Sequence, residues 1–124
     1  MGGERSYLKV KLQVMCGDEI AMGPGKADLL DAIAAHGSIS AAARAIGMSY
    51  RRAWMLVDVM NRCWLEPIVE TAPGGKTRAG ARLTEFGNDV LDDYRRLEQS
   101  AFALQSGKNW QDMRARLRDT PNRQ

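Results

Sequence analysis

Leu8, Val10, Leu12 and Val14 alternate with Lys9, Lys11 and Gln13. That period of two predicts a strand with one buried face, because successive side chains of a strand point to opposite sides. Gly17-Asp18 supplies a turn, and Glu19-Ile20-Ala21-Met22 predicts the returning strand of a hairpin. After the break at Gly23-Pro24-Gly25 the period changes. Leu29, Leu30, Ile33 and Ala34 fall at helical spacing and predict a first helix over about 26–36, closed by Gly37 in a left-handed conformation. Ser38 and Ser40 can each cap a second helix of about 40–46, which holds Ala41-Ala42-Ala43 and ends at Gly47.

Ser49 caps a third, longer helix that runs to about Cys63. At about 100° per residue, Ala53, Leu56, Val57, Met60 and Trp64 share one face, while Arg51, Met55, Asp58 and Arg62 project almost opposite. Such a helix buries one side and offers the other. Residues 67–71 predict a short strand, the turn-rich stretch from Pro73 to Gly80 a flexible basic tip, and Ala81-Arg82-Leu83 the strand back. Thr84 can cap a last long helix, in which Leu83, Phe86, Val90, Tyr94, Leu97, Ala101 and Leu104 recur at spacings of three and four. That seam asks for a second apolar surface, so Val90, Tyr94, Leu97, Ala101 and Leu104 are candidates for a homodimer interface. The basic tail, residues 107–124, has Trp110, Met113 and Leu117 at helical spacing but is short and ends polar, which predicts partial order.

The pattern implies a mainly α fold with small β hairpins (α+β): a winged helix-turn-helix over residues 1–106 with a long C-terminal dimerisation helix, followed by the tail. Composition agrees with one globular domain, at 44% hydrophobic and 27% charged residues in a chain of 124. No apolar run approaches the ~20 residues of a membrane span, and the expected location is the cytoplasm. Cys16 and Cys63 each stand alone in sequence, with no second thiol or histidine at ligand spacing, and are expected to be reduced and inert.

Enzymatic chemistry finds no footing. His36, the only histidine, has no evident nucleophile partner. Asp92 and Asp93 adjoin on a helix and so face different directions, and Gly74-Gly75-Lys76 lacks the spacing of a phosphate-binding loop. No metal, cofactor or catalytic residue is expected.

Charge points elsewhere. The net charge is only +3, but Lys76, Arg78 and Arg82 fall together without an acid in residues 73–82, whereas residues 84–106 carry five acids against Arg95 and Arg96. Concentrated positive charge suits a polyanion, since each neutralised phosphate releases condensed counterions. Two short helices joined at Gly47, with a small Ala43 where they cross, meet the steric needs of a helix-turn-helix. The next helix opens Ser49-Tyr50-Arg51-Arg52, and the first residues of a recognition helix are those that reach base edges. Lys76 and Arg78 sit in the hairpin that would form the wing. The predicted partner is double-stranded DNA. The competing reading is a winged-helix module that binds proteins without specific DNA binding.

Gly37-Ser38-Ile39-Ser40-Ala41-Ala42-Ala43, Met48-Ser49-Tyr50-Arg51-Arg52-Ala53-Trp54, Asn61, Gly74-Gly75-Lys76 and Leu83-Thr84-Glu85-Phe86-Gly87 together resemble the N-terminal domain of the ModE family of bacterial molybdate-responsive regulators, over about residues 8–105. LysR-type regulators share the looser Gly-Ser-x-x-x-Ala-Ala and Leu-Thr-x-x-Gly pattern but lack the Tyr50 and Trp54 combination. The resemblance implies a dimeric winged helix. It makes Ser49, Tyr50, Arg51 and Arg52 recognition contacts, with Met55 on the same outward face. It brings Ser38 and Ser40 to phosphates and makes Lys76 and Arg78 wing contacts. Trp54 is expected to pack beside the core face, with its indole N–H available to a partner. Thr77-Arg78-Ala79 replaces a more glycine-rich segment of the family. The paired oxyanion-binding domains of the full-length regulators, with their Ser-Ala-Arg-Asn-type motif, have no counterpart in these residues, so molybdate binding by that route is not expected of this chain.

Overall fold

The computed structural model describes residues 6–72 and 80–123. Its elements run β1 (Val14–Cys16), β2 (Glu19–Met22), α1 (Pro24–His36), α2 (Ile39–Ala45), α3 (Tyr50–Cys63), β3 (Val69–Ala72), β4 (Gly80–Leu83), α4 (Glu85–Phe102), a 3-10 turn over Ala103–Ser106, and α5 (Lys108–Ala115). Two antiparallel hairpins, β1 with β2 and β3 with β4, flank three helices in the order of a winged helix-turn-helix. The chain forms two compact units, one from Lys11 to Arg95 and a smaller one combining residues up to Val10 with those from Arg96 onward.

Several boundaries differ from expectation for identifiable reasons. The alternating stretch from Leu8 is not a strand: β1 begins only at Val14, and its pairing with β2 is irregular between Val14 and Met15. Alternation marks one side as apolar but supplies no ladder partner, and β2 ends at Met22, opposite Val14, because Pro24 opens α1. α1 starts at Pro24 rather than about 26, since proline at the first helical position loses no hydrogen bond and arrives with a helical φ. Gly37 closes α1 with φ 78°, as predicted. The wing strand begins at Val69, not Pro67, consistent with the missing N–H of proline. The tail is more ordered than its sequence suggested: Lys108–Ala115 form α5, and Trp110 is buried.

The core of the Lys11–Arg95 unit gathers Leu29, Leu30 and Ile33 of α1, Ala42 and Ala43 of α2, Ala53, Val57 and Met60 of α3, and Ile68, Val69 and Leu83 of the wing strands. Two side chains fasten the wing. Asn61 of α3 accepts through Oδ1 from the N–H groups of Ile68 (2.8 Å) and Val69 (3.1 Å) and donates through Nδ2 to the Val69 carbonyl (3.1 Å). Thr84, ahead of α4, accepts from the Gly87 N–H (2.8 Å) and donates to the Pro67 carbonyl (2.7 Å). Gly87 is required sterically: a Cβ there would overlap the Ile68 carbonyl oxygen. The Ala81 N–H reaches the Gly37 carbonyl at 2.9 Å, tying β4 to the end of α1.

α4 does not carry a continuous free seam. Tyr94 is 2% exposed and donates its hydroxyl to the Leu12 carbonyl at 3.0 Å. It therefore belongs to the chain's own core, which corrects its assignment to a partner-facing surface. Val90 is half-buried against the same core, Leu97 is exposed and Ala101 half-buried. Leu104 lies on the 3-10 turn beyond the last α-helical residue, Phe102, so the helical period that placed it in the seam has ended before it.

Candidate nucleic-acid interface

α2 and α3 form the two-helix unit. Ser38 caps α2 by accepting from the Ala41 N–H at 3.0 Å, and Ser49 caps α3 by accepting from the Arg52 N–H at 3.1 Å. Ser40 does not cap: it lies within α2 and accepts from the Arg44 guanidinium at 2.8 Å. Between the helices Gly47 adopts φ 71°, a left-handed conformation that side chains resist, which permits the reversal.

The faces of α3 separate as the 3.6-residue period requires. Ala53, Val57 and Met60 are fully or almost fully buried, while Arg51, Arg52, Met55, Asp58 and Arg62 are exposed. Asp58 pairs with Arg62 at 3.0 Å one turn further on. Arg51 and Arg52 differ: among the described residues neither side chain has a hydrogen-bonding or ion-pairing partner. The cationic groups nearest the helix start therefore remain uncompensated. Lys26 of α1 reinforces this region. Burial lowers its ammonium below the ordinary lysine range, and the positive charge of Arg52 lowers it further.

Trp54 departs from expectation. It is 39% exposed and meets Tyr50 edge to face, with ring centroids 6.3 Å apart. The indole that does find an internal partner is that of Trp64, whose N–H donates to the Ala21 carbonyl at 3.0 Å. The helical wheel held the signal: Trp54 lies about 90° from the centre of the buried stripe, at its margin. Tyr50 and Trp54 line an open cleft of about 210 Å³ together with Ser38 and Ser40 and with Thr71, Ala72, Gly80 and Ala81 of the wing strands. The fold thus brings Ser38, Ser40 and Tyr50 to one cleft, which Trp54 joins although the sequence placed it beside the core face. Ser49, Arg51, Arg52 and Met55 share the adjoining exposed surface of α3. Lys76 and Arg78 lie outside the described residues.

Among the described residues no three or more His, Cys, Asp or Glu side chains are grouped to hold a metal ion. Among them also, no helix is long and apolar enough to cross a membrane.

No family model matches the chain. Individual proteins do. It is 44% identical over 77 residues to the molybdenum-pterin-binding protein MopA of Rhodobacter capsulatus, covering 62% of this chain and 29% of MopA. It is 45% identical over 85 residues to MopB of the same organism, covering 68% and 32%. To the DNA-binding transcriptional dual regulator ModE of Escherichia coli K12 it is 36% identical over 102 residues, covering 80% of this chain and 37% of that protein. The matched part is about a third of each relative's length. In fold, the chain resembles the CbnR DNA-binding domain solved in complex with DNA, with TM-score 0.53 and 22% identity over 76% of this chain and 97% of that one. The chain resembles the N-terminal winged helix-turn-helix domain of ModE, and its relatives include transcriptional regulators.

Proposed function

We propose that this chain is a sequence-specific DNA-binding transcription regulator of the ModE type, acting in the cytoplasm as a homodimer on an inverted-repeat operator. The observation that carries the reading is the two-sided α3, whose inner face is closed by the core while Arg51 and Arg52 stand exposed and unpaired among the described residues. An uncompensated guanidinium at a recognition helix can bond a guanine through two parallel N–H groups or clamp a phosphate. In this reading Tyr50, Arg51, Arg52 and Met55 face the major groove, with Met55 suited to a thymine methyl. Ser38, Ser40 and Ser49 lie toward phosphates, and Lys76 and Arg78 reach the backbone from the wing. The exposed Leu97 with Ala101 beside it on α4 forms the apolar contact with the second copy, and Tyr94 takes no part. The names of the relatives connect those proteins with molybdenum. For this chain we propose regulation of molybdenum-related genes without molybdate binding by its own residues.

Sequencing the genomic DNA fragments retained by the purified chain tests the proposal. A recurrent inverted repeat, lost when Arg51→Ala and Arg52→Ala are combined, is the expected outcome. Retention with no enriched sequence would favour a module of another kind.

A further inference from the structure

Cys16 and Cys63 are far apart in sequence and inert in isolation, yet the fold brings them to the same seam. Cys16 ends β1, opposite Glu19 of β2 in the hairpin register, and Cys63 ends α3. β2 packs against α3. The contact is pinned beside the second thiol, because Trp64, the next residue, donates its indole N–H to the Ala21 carbonyl of β2 at 3.0 Å. Both cysteines are free, Cys16 exposed and Cys63 half-buried. Burial raises the Cys63 thiol above the ordinary thiol range, and the nearby Cys16 raises it further.

We infer that Cys16 and Cys63 are a redox-reactive dithiol, a modification site at which a hydroperoxide closes an intramolecular disulfide between β1 and the C-terminal end of α3. Exposure makes Cys16 the first to react. Its thiolate attacks a peroxide oxygen, the O–O bond breaks, and hydroxide leaves and takes up a proton, so that Cys16 becomes a sulfenic acid. Cys63, shielded and holding its proton until then, attacks the Cys16 sulfur: the S–S bond forms, the S–O bond breaks, and water carries away the Cys63 proton. Two thiols and one hydroperoxide give one disulfide, one water and the reduced alcohol or water, and a thiol reductant reverses the change. The product fixes the hairpin to the end of α3 remote from Arg51 and Arg52. This thiol chemistry does not depend on DNA binding.

The test exposes the reduced, folded full chain to equimolar hydrogen peroxide, alkylates remaining thiols with N-ethylmaleimide, and measures the intact mass. A monomer that has lost two hydrogens and takes no alkyl group, and that regains two alkylation sites after reduction, is the expected product. Cys63→Ser should stop disulfide formation and leave a sulfenic acid on Cys16 that dimedone traps, whereas Cys16→Ser should leave Cys63 alkylatable. Both thiols alkylated in full, disulfide-linked dimers in place of the internal bond, or an unchanged product in either variant would overturn the inference.

Discussion

Asn61→Ala removes the side chain that joins α3 to the wing, and its cost follows from three hydrogen bonds. The amide accepts from Ile68 and Val69 at 2.8 and 3.1 Å and donates to the Val69 carbonyl at 3.1 Å. Ile68 is 0% and Val69 3% exposed, so water cannot readily replace the lost partners. At a net ~1 kcal/mol per bond, the loss is about 3 kcal/mol, and more if the N–H groups stay unsatisfied. Against the roughly 5–15 kcal/mol that holds a typical domain folded, this is a large fraction. With a urea dependence of about 2 kcal/mol per molar, the unfolding midpoint should fall by about 1.5 M, read from tryptophan fluorescence. Asn61→Asp keeps the two acceptor bonds and should lose less. A midpoint change under roughly 0.3 M for the alanine variant would refute the assignment of Asn61 as the wing's anchor.

Gly87→Ala places a methyl against the Ile68 carbonyl oxygen, so it should lower the thermal midpoint by several degrees, in contrast to the mild stabilisation alanine brings to an unobstructed helix. Arg51→Ala and Arg52→Ala should each weaken binding to a selected operator by about 1–3 kcal/mol if they read bases. An equal loss on every DNA sequence would instead mark them as phosphate clamps. Leu97→Asp should give monomers by light scattering, because it sets a charge in the apolar contact proposed for the dimer. Lys26 binds its proton more weakly folded than unfolded, so its contribution to stability should improve as pH rises toward its ordinary 10.5. Lys26→Gln should remove that part of the alkaline rise, as measured by urea midpoints across pH.

Local chemistry made most of the helices readable. Ser38, Ser49 and Thr84 cap because a short side-chain oxygen followed by a helical stretch can satisfy an otherwise unpaired N–H, and Gly37 and Gly47 turn left-handed because no Cβ resists. Non-local partners were not readable. Alternation from Leu8 to Val14 marked an apolar side, but only a facing strand makes a ladder, and β2 pairs no further back than Val14. Tyr94 sat on the predicted seam by spacing alone. Its destination was decided by a carbonyl on Leu12, far away in sequence. The same holds at the site: the outward arginines and the Tyr50–Trp54 pair, one turn apart on α3, follow from the helical period, whereas the cleft that joins them to Ser38, Ser40 and the wing strands depends on how the elements pack.

The most direct measurement of the central claim is a fluorescence titration of the chain with labelled duplex DNA over a series of salt concentrations. Recognition through an exposed, cationic α3 predicts affinity that falls steeply with salt, with a log-log slope near −0.9 for each phosphate contacted, and weaker binding to a selected operator by the Arg51→Ala, Arg52→Ala double variant. Affinity that is flat with salt, or operator binding that the double variant leaves unchanged, would contradict it.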